Sequence, residues 1–430
     1  MRYDILTIFP EFFDSPFEGG ILKKAVERGV IEINTHDIRS YATDKHRSVD
    51  DKPYGGGSGM VFKPEPLGKA IQAAKLGGVK SLVILTTPQG EVLTDKIVRE
   101  LTGYDQLVII CGRYEGVDER VRKLHVDREI SVGDYILSGG EYAACAIVDA
   151  VSRYVPGVLG NETSPYDDSF NNYLLEHQQY TRPEEYEGLS VPGILLSGNH
   201  GEIERWKRRE SIERTYLRRP ELLDRADLSV DDSIYLGELK KGHPNKFKLY
   251  IALVHYPVYN KDFKVITTAF TNLDVHDISR AARTYGVKGF YLIHPIEEQR
   301  SLVARVLRHW KEGPGRAHNP SRHEALELVR ITNTLDEAMD RIEAIEGMRP
   351  KTVATDAGIR ANTTGYAELK ETMSSGDAPY LIIFGTGSGI AEEVISQSDF
   401  VLKPVHGQTS YNHLSVRSAA AIILDRLLRQ

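Results

Sequence analysis

Cysteine is nearly absent from these 430 residues: only Cys111 and Cys145 occur. They stand far apart, in neither a C-x-x-C nor a Cys/His metal spacing, which argues against a disulfide scaffold, a dithiol redox centre and a structural zinc site. Both read as small core or near-core residues of a protein kept reduced, with the cytoplasm as the default location. No apolar run approaches the ~20 residues of a membrane-spanning helix, so no membrane partner is expected. The opening Met1-Arg2-Tyr3-Asp4 leads into an apolar stretch without the layout of a secretory signal. There is no G-x-G-x-x-G, no P-loop lysine and no G-x-S-x-G elbow, which disfavours a nicotinamide enzyme, an ATPase and a serine hydrolase. A basic excess is missing too. Fifty-four Lys and Arg face 61 Asp and Glu, for a net charge of -7. That speaks mildly against a nucleic-acid partner, although phosphate contacts need a basic face and not a basic total.

What is present is an ordinary globular composition, 41% hydrophobic and 27% charged, on a chain long enough for two or three domains. Over the first 150 residues short β-branched runs alternate with helical patterns. Ile5 to Phe9 and Val30 to Thr35 read as strands. Ser81 to Thr86 and Gln106 to Ile110 are continuous apolar runs of the kind buried parallel strands require. Helical patterns at Leu67 to Lys75 and Thr94 to Thr102 lie between them, which makes this an α/β domain. Residues 161–173 are polar and turn-rich and read as a linker or lid. Residues 174–245 carry helical patterns with basic clusters and no strand runs, and Lys240 to Lys246 reads as a second linker. The α/β rhythm then restarts, with strands expected at Leu249 to Val254, Val265 to Thr268, Gly289 to Ile293 and Leu381 to Phe384, and a closing helix from Ser415 to Leu428. The expected domains are 1–160, the lid 161–173, a helical domain 174–245 and a second α/β domain 246–430.

Three loops follow successive strands: Thr87-Pro88-Gln89-Gly90, Cys111 to Arg120, and Ser131 to Glu141. Singly each is a turn or a solvated charged helix start. Together, at the strand ends where open α/β sheets bind ligands, they suggest one cofactor crevice. Upstream, Asp50 to Met60 holds four glycines in five residues, at positions 55 to 59, beside Arg47, Asp50 and Asp51. A flexible surface loop would also explain the glycines; the charged flanks favour a ligand.

Taken together these motifs resemble the bacterial tRNA (guanine-37-N1)-methyltransferase family, TrmD. The matching run includes Ile8-Phe9-Pro10, Asp50 to Met60, Pro88-Gln89-Gly90, Cys111 to Arg120, Gly133 to Glu141 and Ser152 to Gly160. It continues through Asp168-Ser169-Phe170, Tyr180 to Pro183, Leu195 to His200, Arg205-Trp206 and Thr215 to Pro220. The resemblance covers residues 1–240 and implies a SPOUT-class fold with a deep trefoil knot, in an obligate homodimer acting on tRNA. S-adenosylmethionine is expected against Thr86, Thr87, Pro88 and Gly90, against Gly112 and Tyr114, and against Val132, Gly133, Tyr135, Leu137, Gly139 and Gly140. The resemblance puts Asp168 in the role of base and Arg153 in that of charge stabiliser. Asp50 and Ser169 are expected to touch substrate. Arg205, Arg208 and Arg209 are expected on tRNA phosphates, although a solvated helix face explains them as well. Mg²⁺ assistance is also implied, with Glu115 the candidate to engage substrate or metal; no dedicated metal ligands are expected.

Residues 246–430 depart from that family. Phe384-Gly385-Thr386-Gly387-Ser388-Gly389 and Asn412-His413-Leu414-Ser415-Val416 with its alanine run resemble the closing motifs of SPOUT methyltransferases. A strand-to-helix turn and a capped terminal helix are the plain alternatives. The resemblance implies a second knot and a second S-adenosylmethionine site near Gly385, Gly387, His406, Leu414 and Val416. The expected architecture is therefore two knotted α/β domains around a small all-α domain. A non-catalytic RNA-binding or dimerisation module is the rival reading of the second half.

Overall fold

A computed structural model describes residues 1–160, 168–242, 247–313, 318–358, 360–409 and 411–429. The chain forms two compact units, Met1–Asp232 and Ser233–Gln430. The first holds a five-stranded sheet of β1 (Arg2–Thr7), β2 (Glu32–Asp37), β3 (Ser81–Val92), β4 (Gln106–Cys111) and β5 (Arg128–Ser131), ordered β2-β1-β4-β3-β5. Every pairing is parallel. Parallel strands buried on both faces need apolar residues at successive positions, and β4 supplies them. Leu107 and Ile109 pack one way, with the helices Asp95–Leu101 and Glu141–Ser152. Val108 and Ile110 pack the other way, with the helix Pro64–Ala74.

The second unit repeats the plan with β6 (Leu249–Val254), β7 (Gly289–Ile293), β8 (Val329–Thr332), β9 (Lys351–Thr355), β10 (Tyr380–Gly385) and β11 (Phe400–Leu402), ordered β8-β7-β6-β10-β9-β11. These pairings are also all parallel. Without the edge strand β8, the order is that of the first sheet, strand for strand. Leu249, Ile251 and Leu253 face the helices Asn272–Thr284 and Val416–Leu428, while Tyr250, Ala252 and Val254 face Leu335–Glu346.

The α/β expectation holds for both units; several boundaries do not. The first strand ends at Thr7, because Pro10 opens a 3-10 turn over Pro10–Phe13. Val265–Ile266 pairs antiparallel with Val258–Tyr259 and stays out of the main sheet. Residues 174–232 fall within the first compact unit. They are not strandless: Glu185–Tyr186 pairs with Leu189–Ser190 around Glu187 and Gly188, both at positive φ. The long helix His200–Arg218 starts at Asn199, whose side chain accepts from the Glu202 amide. The helix Val230–Gly242 takes the first residues of the expected second linker. The rest of that linker, 243–246, and the lid residues 161–167 lie outside the described residues.

Candidate active site

In the first unit the site begins where β3 loses register. Thr86 pairs with Ile130 and so does Glu91, so Thr87 to Gly90 loop out at the carboxyl end of the strand. Gly90 is required there: a Cβ would stand 2.5 Å from the Glu129 carbonyl carbon. Buried Thr86 then ties three segments together. Its hydroxyl donates to the Ile110 carbonyl at 2.9 Å and accepts from the Gly112 amide at 3.4 Å. The Gly140 amide donates to the Gly112 carbonyl at 2.8 Å, and a Cβ on Gly140 would lie 2.0 Å from Thr86 Oγ1 and 2.8 Å from Cys111 Cα. The chain leaving the edge strand β5 thus returns across β3 to the end of β4 before entering the helix Glu141–Ser152.

Glu141 opens that helix fully buried, accepting from Thr7 Oγ1 at 2.8 Å and Arg113 Nε at 3.1 Å. Arg113 lies 4.3 Å above the Phe9 ring. A buried carboxylate needs such partners, and here they lock the Gly112 loop to the helix. Between them, Tyr135 Oη donates to the Val132 carbonyl, and Tyr135 and Ile136 are exposed.

Arg153 caps the other end of the same helix, and its guanidinium forms an ion pair with Asp168. Both side chains remain about 40% exposed, at 38% and 41%. The chain after Asp168 is constrained. Phe170, Asn172 and Tyr173 have positive φ, Asn171 accepts from Arg99, and Asn172 and Asp227 exchange hydrogen bonds at 3.1 Å each way. Ser169 Oγ accepts from the Glu176 amide.

The glycine loop is docked on the Gly112 side. Asp50 pairs with Phe62, the Glu115 amide donates to the Met60 carbonyl, and the Glu115 carboxylate lies against Gly59, where a Cβ would meet it at 2.6 Å.

The second unit has the same joint. Thr355, at the end of β9, donates its hydroxyl to the Ile383 carbonyl of β10 at 2.8 Å, as Thr86 does to the Ile110 carbonyl of β4. Gly385 follows as Gly112 does, with room for no Cβ beside Ile390. A cavity of about 1300 Å³ opens at these strand ends, bounded by Thr355, Gly385 to Gly389, Leu402 to Val405 and Asn412 to Val416. It exceeds the few hundred Å³ that a drug-sized ligand occupies. Asn412 pins its rim by donating to the Ala357 carbonyl at 2.7 Å.

Beneath the cavity lies a neutral polar chain. His255 Nδ1 meets Thr268 Oγ1 at 3.1 Å, Thr268 Oγ1 meets Thr386 Oγ1, and Thr386 reaches the Val254 carbonyl. His294 donates from Nε2 to the Thr268 carbonyl and accepts the Ile296 amide on Nδ1, so it is neutral. Burial, and then the neighbouring His294, push His255 down to about 4, and its Nε2 has no hydrogen-bond partner among the described residues.

The comparisons with known proteins divide the chain at the same place. Residues 1–225 match the model of the tRNA (guanine-1)-methyltransferase family TrmD. A protein of Oleidesulfovibrio alaskensis named tRNA (guanine-N(1)-)-methyltransferase is 45% identical over 428 residues, covering 100% of this chain and 99% of that protein. The chain belongs to the TrmD family. A Nitratidesulfovibrio vulgaris protein of the same name is also 45% identical over the same span. The same-named protein of Geotalea uraniireducens is 56% identical over 241 residues, 56% of this chain and 98% of that one, so it corresponds to the TrmD part alone. Residues 248–429 match the model of a SAM-dependent RNA methyltransferase family.

Of the residues singled out in the TrmD part, Thr86, Gly112 and Gly140 meet at one joint, and Gly139 abuts Arg113 and Glu141. Arg153 and Asp168, 15 residues apart, also meet. Glu115 lies on the glycine loop. Arg205 pairs with Glu202 on its own helix, and Arg208 with Asp232 at 2.9 Å, a tie between two helices. Arg209 is exposed on the same helix. In the second unit Gly385, Gly387, Leu414 and Val416 border the cavity; His406 is exposed and outside its lining. The Thr7–Glu141–Arg113 lock and the paired roles of Thr86 and Thr355 were missed. A threonine one or two residues before a strand-end loop in both halves was the available signal.

Proposed function

We propose that the first unit methylates N1 of guanosine 37 in tRNA and that Arg153 and Asp168 carry the reaction. N1 of guanine holds a proton and is a poor nucleophile until it leaves; its loss puts negative charge on O6. The site therefore needs a base and a fixed cation side by side, and the Arg153–Asp168 ion pair is the observation that carries this reading. Asp168 takes the N1 proton while Arg153 opposes the charge at O6. S-adenosylmethionine supplies the electrophilic methyl group, held against Thr86 to Gly90, Gly112 and Tyr114, and Val132 to Gly140. An ordinary aspartate, near pKa 3.9, is a weak base at neutral pH. Loss of water around it when tRNA binds would strengthen it.

The return of the chain from β5 across β3 to the end of β4 supports a trefoil knot there. Exposed Ile136 and Tyr142, at either side of the helix start, support a homodimer interface beside the site. No helix among the described residues is long and apolar enough to cross a membrane, which accords with a cytoplasmic tRNA-modifying enzyme. Among the described residues no three His, Cys, Asp or Glu side chains converge on a metal position. The helix His200–Arg218 would hold tRNA, with Arg205 and Arg209 on phosphates. In the second unit the cavity beside Gly385 and Gly387 would take a second S-adenosylmethionine, making 246–430 an RNA methyltransferase domain.

The test is Asp168→Ala. Methyl transfer to unmodified tRNA should fall by about 10²–10⁴-fold, with S-adenosylmethionine affinity by calorimetry nearly unchanged. Near-normal turnover removes Asp168 from the role of base.

A further inference from the structure

A two-strand hairpin, Val258–Tyr259 paired with Val265–Ile266, stands at the mouth of the second unit's cavity. In the first unit the chain after β1 turns instead into the 3-10 turn Pro10–Phe13. The hairpin is rigidly attached to the glycine-rich loop after β10. The Tyr259 amide donates to the Gly389 carbonyl at 2.9 Å, the Ser388 amide to the Tyr259 carbonyl at 2.8 Å, and Val258 bridges to Ile390. Its tip is fixed as well. Asn260 Oδ1 accepts the amides of Asp262 and Lys264 at 2.9 Å each, and the Asn260 carbonyl accepts the Phe263 amide.

This scaffolding presents Phe263. Its backbone has φ +56, and the residue is 78% exposed, its ring meeting Tyr259 edge-on at a centroid distance of 6.1 Å. A left-handed phenylalanine is costly, and here the cost is not offset by burial. Phe263 nonetheless borders the cavity, as Lys261 does. Lys261 and Lys264 flank it, and neither ammonium forms an ion pair among the described residues. A rigid exposed ring between two cations matches the chemistry of an unpaired nucleotide, whose base stacks on an aromatic face while its phosphates meet lysines. Asp262 is the one acidic group at the tip.

We infer that Phe263 is the stacking platform for the target nucleotide of the second unit, with Lys261 and Lys264 on the adjoining RNA phosphates. The inference rests on the reading of the cavity as a second S-adenosylmethionine site. Single-stranded RNA at the hairpin would then lie beside the methyl donor.

The probe is a single-stranded uridine decamer with one central 4-thiouridine, irradiated with the full chain in S-adenosylmethionine, and cross-links are mapped by mass spectrometry. Cross-links are expected on residues 258–266. The decamer concentration for half-maximal cross-linking there should rise roughly tenfold in Phe263→Ala and recover in Phe263→Trp, in line with the loss of one base stack. Lys261→Glu with Lys264→Glu should weaken binding further and flatten its salt dependence. Unchanged hairpin affinity in Phe263→Ala, or wild-type cross-links confined to other residues, overturns the inference. Calorimetry on the same preparations separates the two readings. Two cofactors per chain in wild type and Phe263→Ala alike is the expected result. One per chain in wild type removes the cavity reading and the inference with it. Loss of the second cofactor in Phe263→Ala alone makes the hairpin part of the cofactor site and also overturns it.

Discussion

The two units share a binding scaffold and differ in what faces it. Strand order, the all-parallel pairing, the threonine hydroxyl on the neighbouring strand's carbonyl and the glycine that follows that strand recur in both. The polar groups beneath do not. Beside β1 the first unit buries a charged network, with Asp4 accepting from Arg2 at 2.7 Å, His36 at 2.8 Å and Gln106 at 2.6 Å. The second buries the uncharged His255–Thr268–Thr386 chain. Beyond the sheet the first unit offers Arg153 and Asp168, the second a basic aromatic hairpin. On the proposed roles, the cofactor-side geometry belongs to the sheet ends and is common to both units, whereas the substrate-side groups sit on attachments that differ.

The sharpest way to break the comparison is to fill the glycines. Gly140→Ala would place a methyl 2.0 Å from Thr86 Oγ1 and against Cys111 backbone, and Gly385→Ala would do so 2.6 Å from Ile390 Cγ1 and 2.8 Å from its amide nitrogen. Each should remove one of two cofactor sites and spare the other, with affinity at the damaged site falling about 100-fold or more, a loss of about 3 kcal/mol. Calorimetric stoichiometry reads this directly. Retention of both sites in either variant would mean that the joint is not part of a cofactor site.

Acid should separate the units next. His255 is fully buried and pushed down to about 4. The unfolded chain gains this proton near pH 6.5 and the folded one only near 4. Stability is therefore complete above 6.5 and is lost as pH falls across that window, by about 3 kcal/mol. In the first unit burial pushes the Asp4 carboxyl up, but hydrogen bonds from His36, Arg2 and Gln106 more than reverse this and hold it at about 2. Its contribution is lost only below about 3.9. The chain has two tryptophans, Trp206 in the first unit and Trp310 in the second. Urea midpoints followed in Trp206→Phe should drop between pH 6.5 and 4, and those in Trp310→Phe should hold. Parallel curves would undo the contrast.

Much of this plan was legible in the sequence, and its limits have physical causes. Short continuous apolar runs marked β3, β4, β6 and β10, because strands buried on both faces carry apolar residues at successive positions. Short edge strands such as β8 and β11 carry too few residues to announce themselves. The chemistry of Arg153 and Asp168 was legible only through resemblance: nothing in their spacing says that a helix end and a loop will bring them into contact. Arg208 shows what a basic cluster does not announce. A basic cluster reads as a phosphate surface, yet Asp232, 24 residues on, takes its guanidinium. Phe263 was passed over inside what read as one strand and its approach.

The finest test of the shared joint is the pair Thr86→Val and Thr355→Val. Each removes a hydroxyl that donates to a strand carbonyl, at nearly equal distances of 2.9 and 2.8 Å. Identical roles would give equal losses of about 1 kcal/mol. Thr86 is more deeply buried and also accepts the Gly112 amide, so its replacement leaves a second group short of a partner. Thr86→Val should cost about 2 kcal/mol in urea unfolding of the first unit, and Thr355→Val about 1 kcal/mol in the second. A larger loss at Thr355 would mean that the second joint carries weight its hydrogen bonds do not account for.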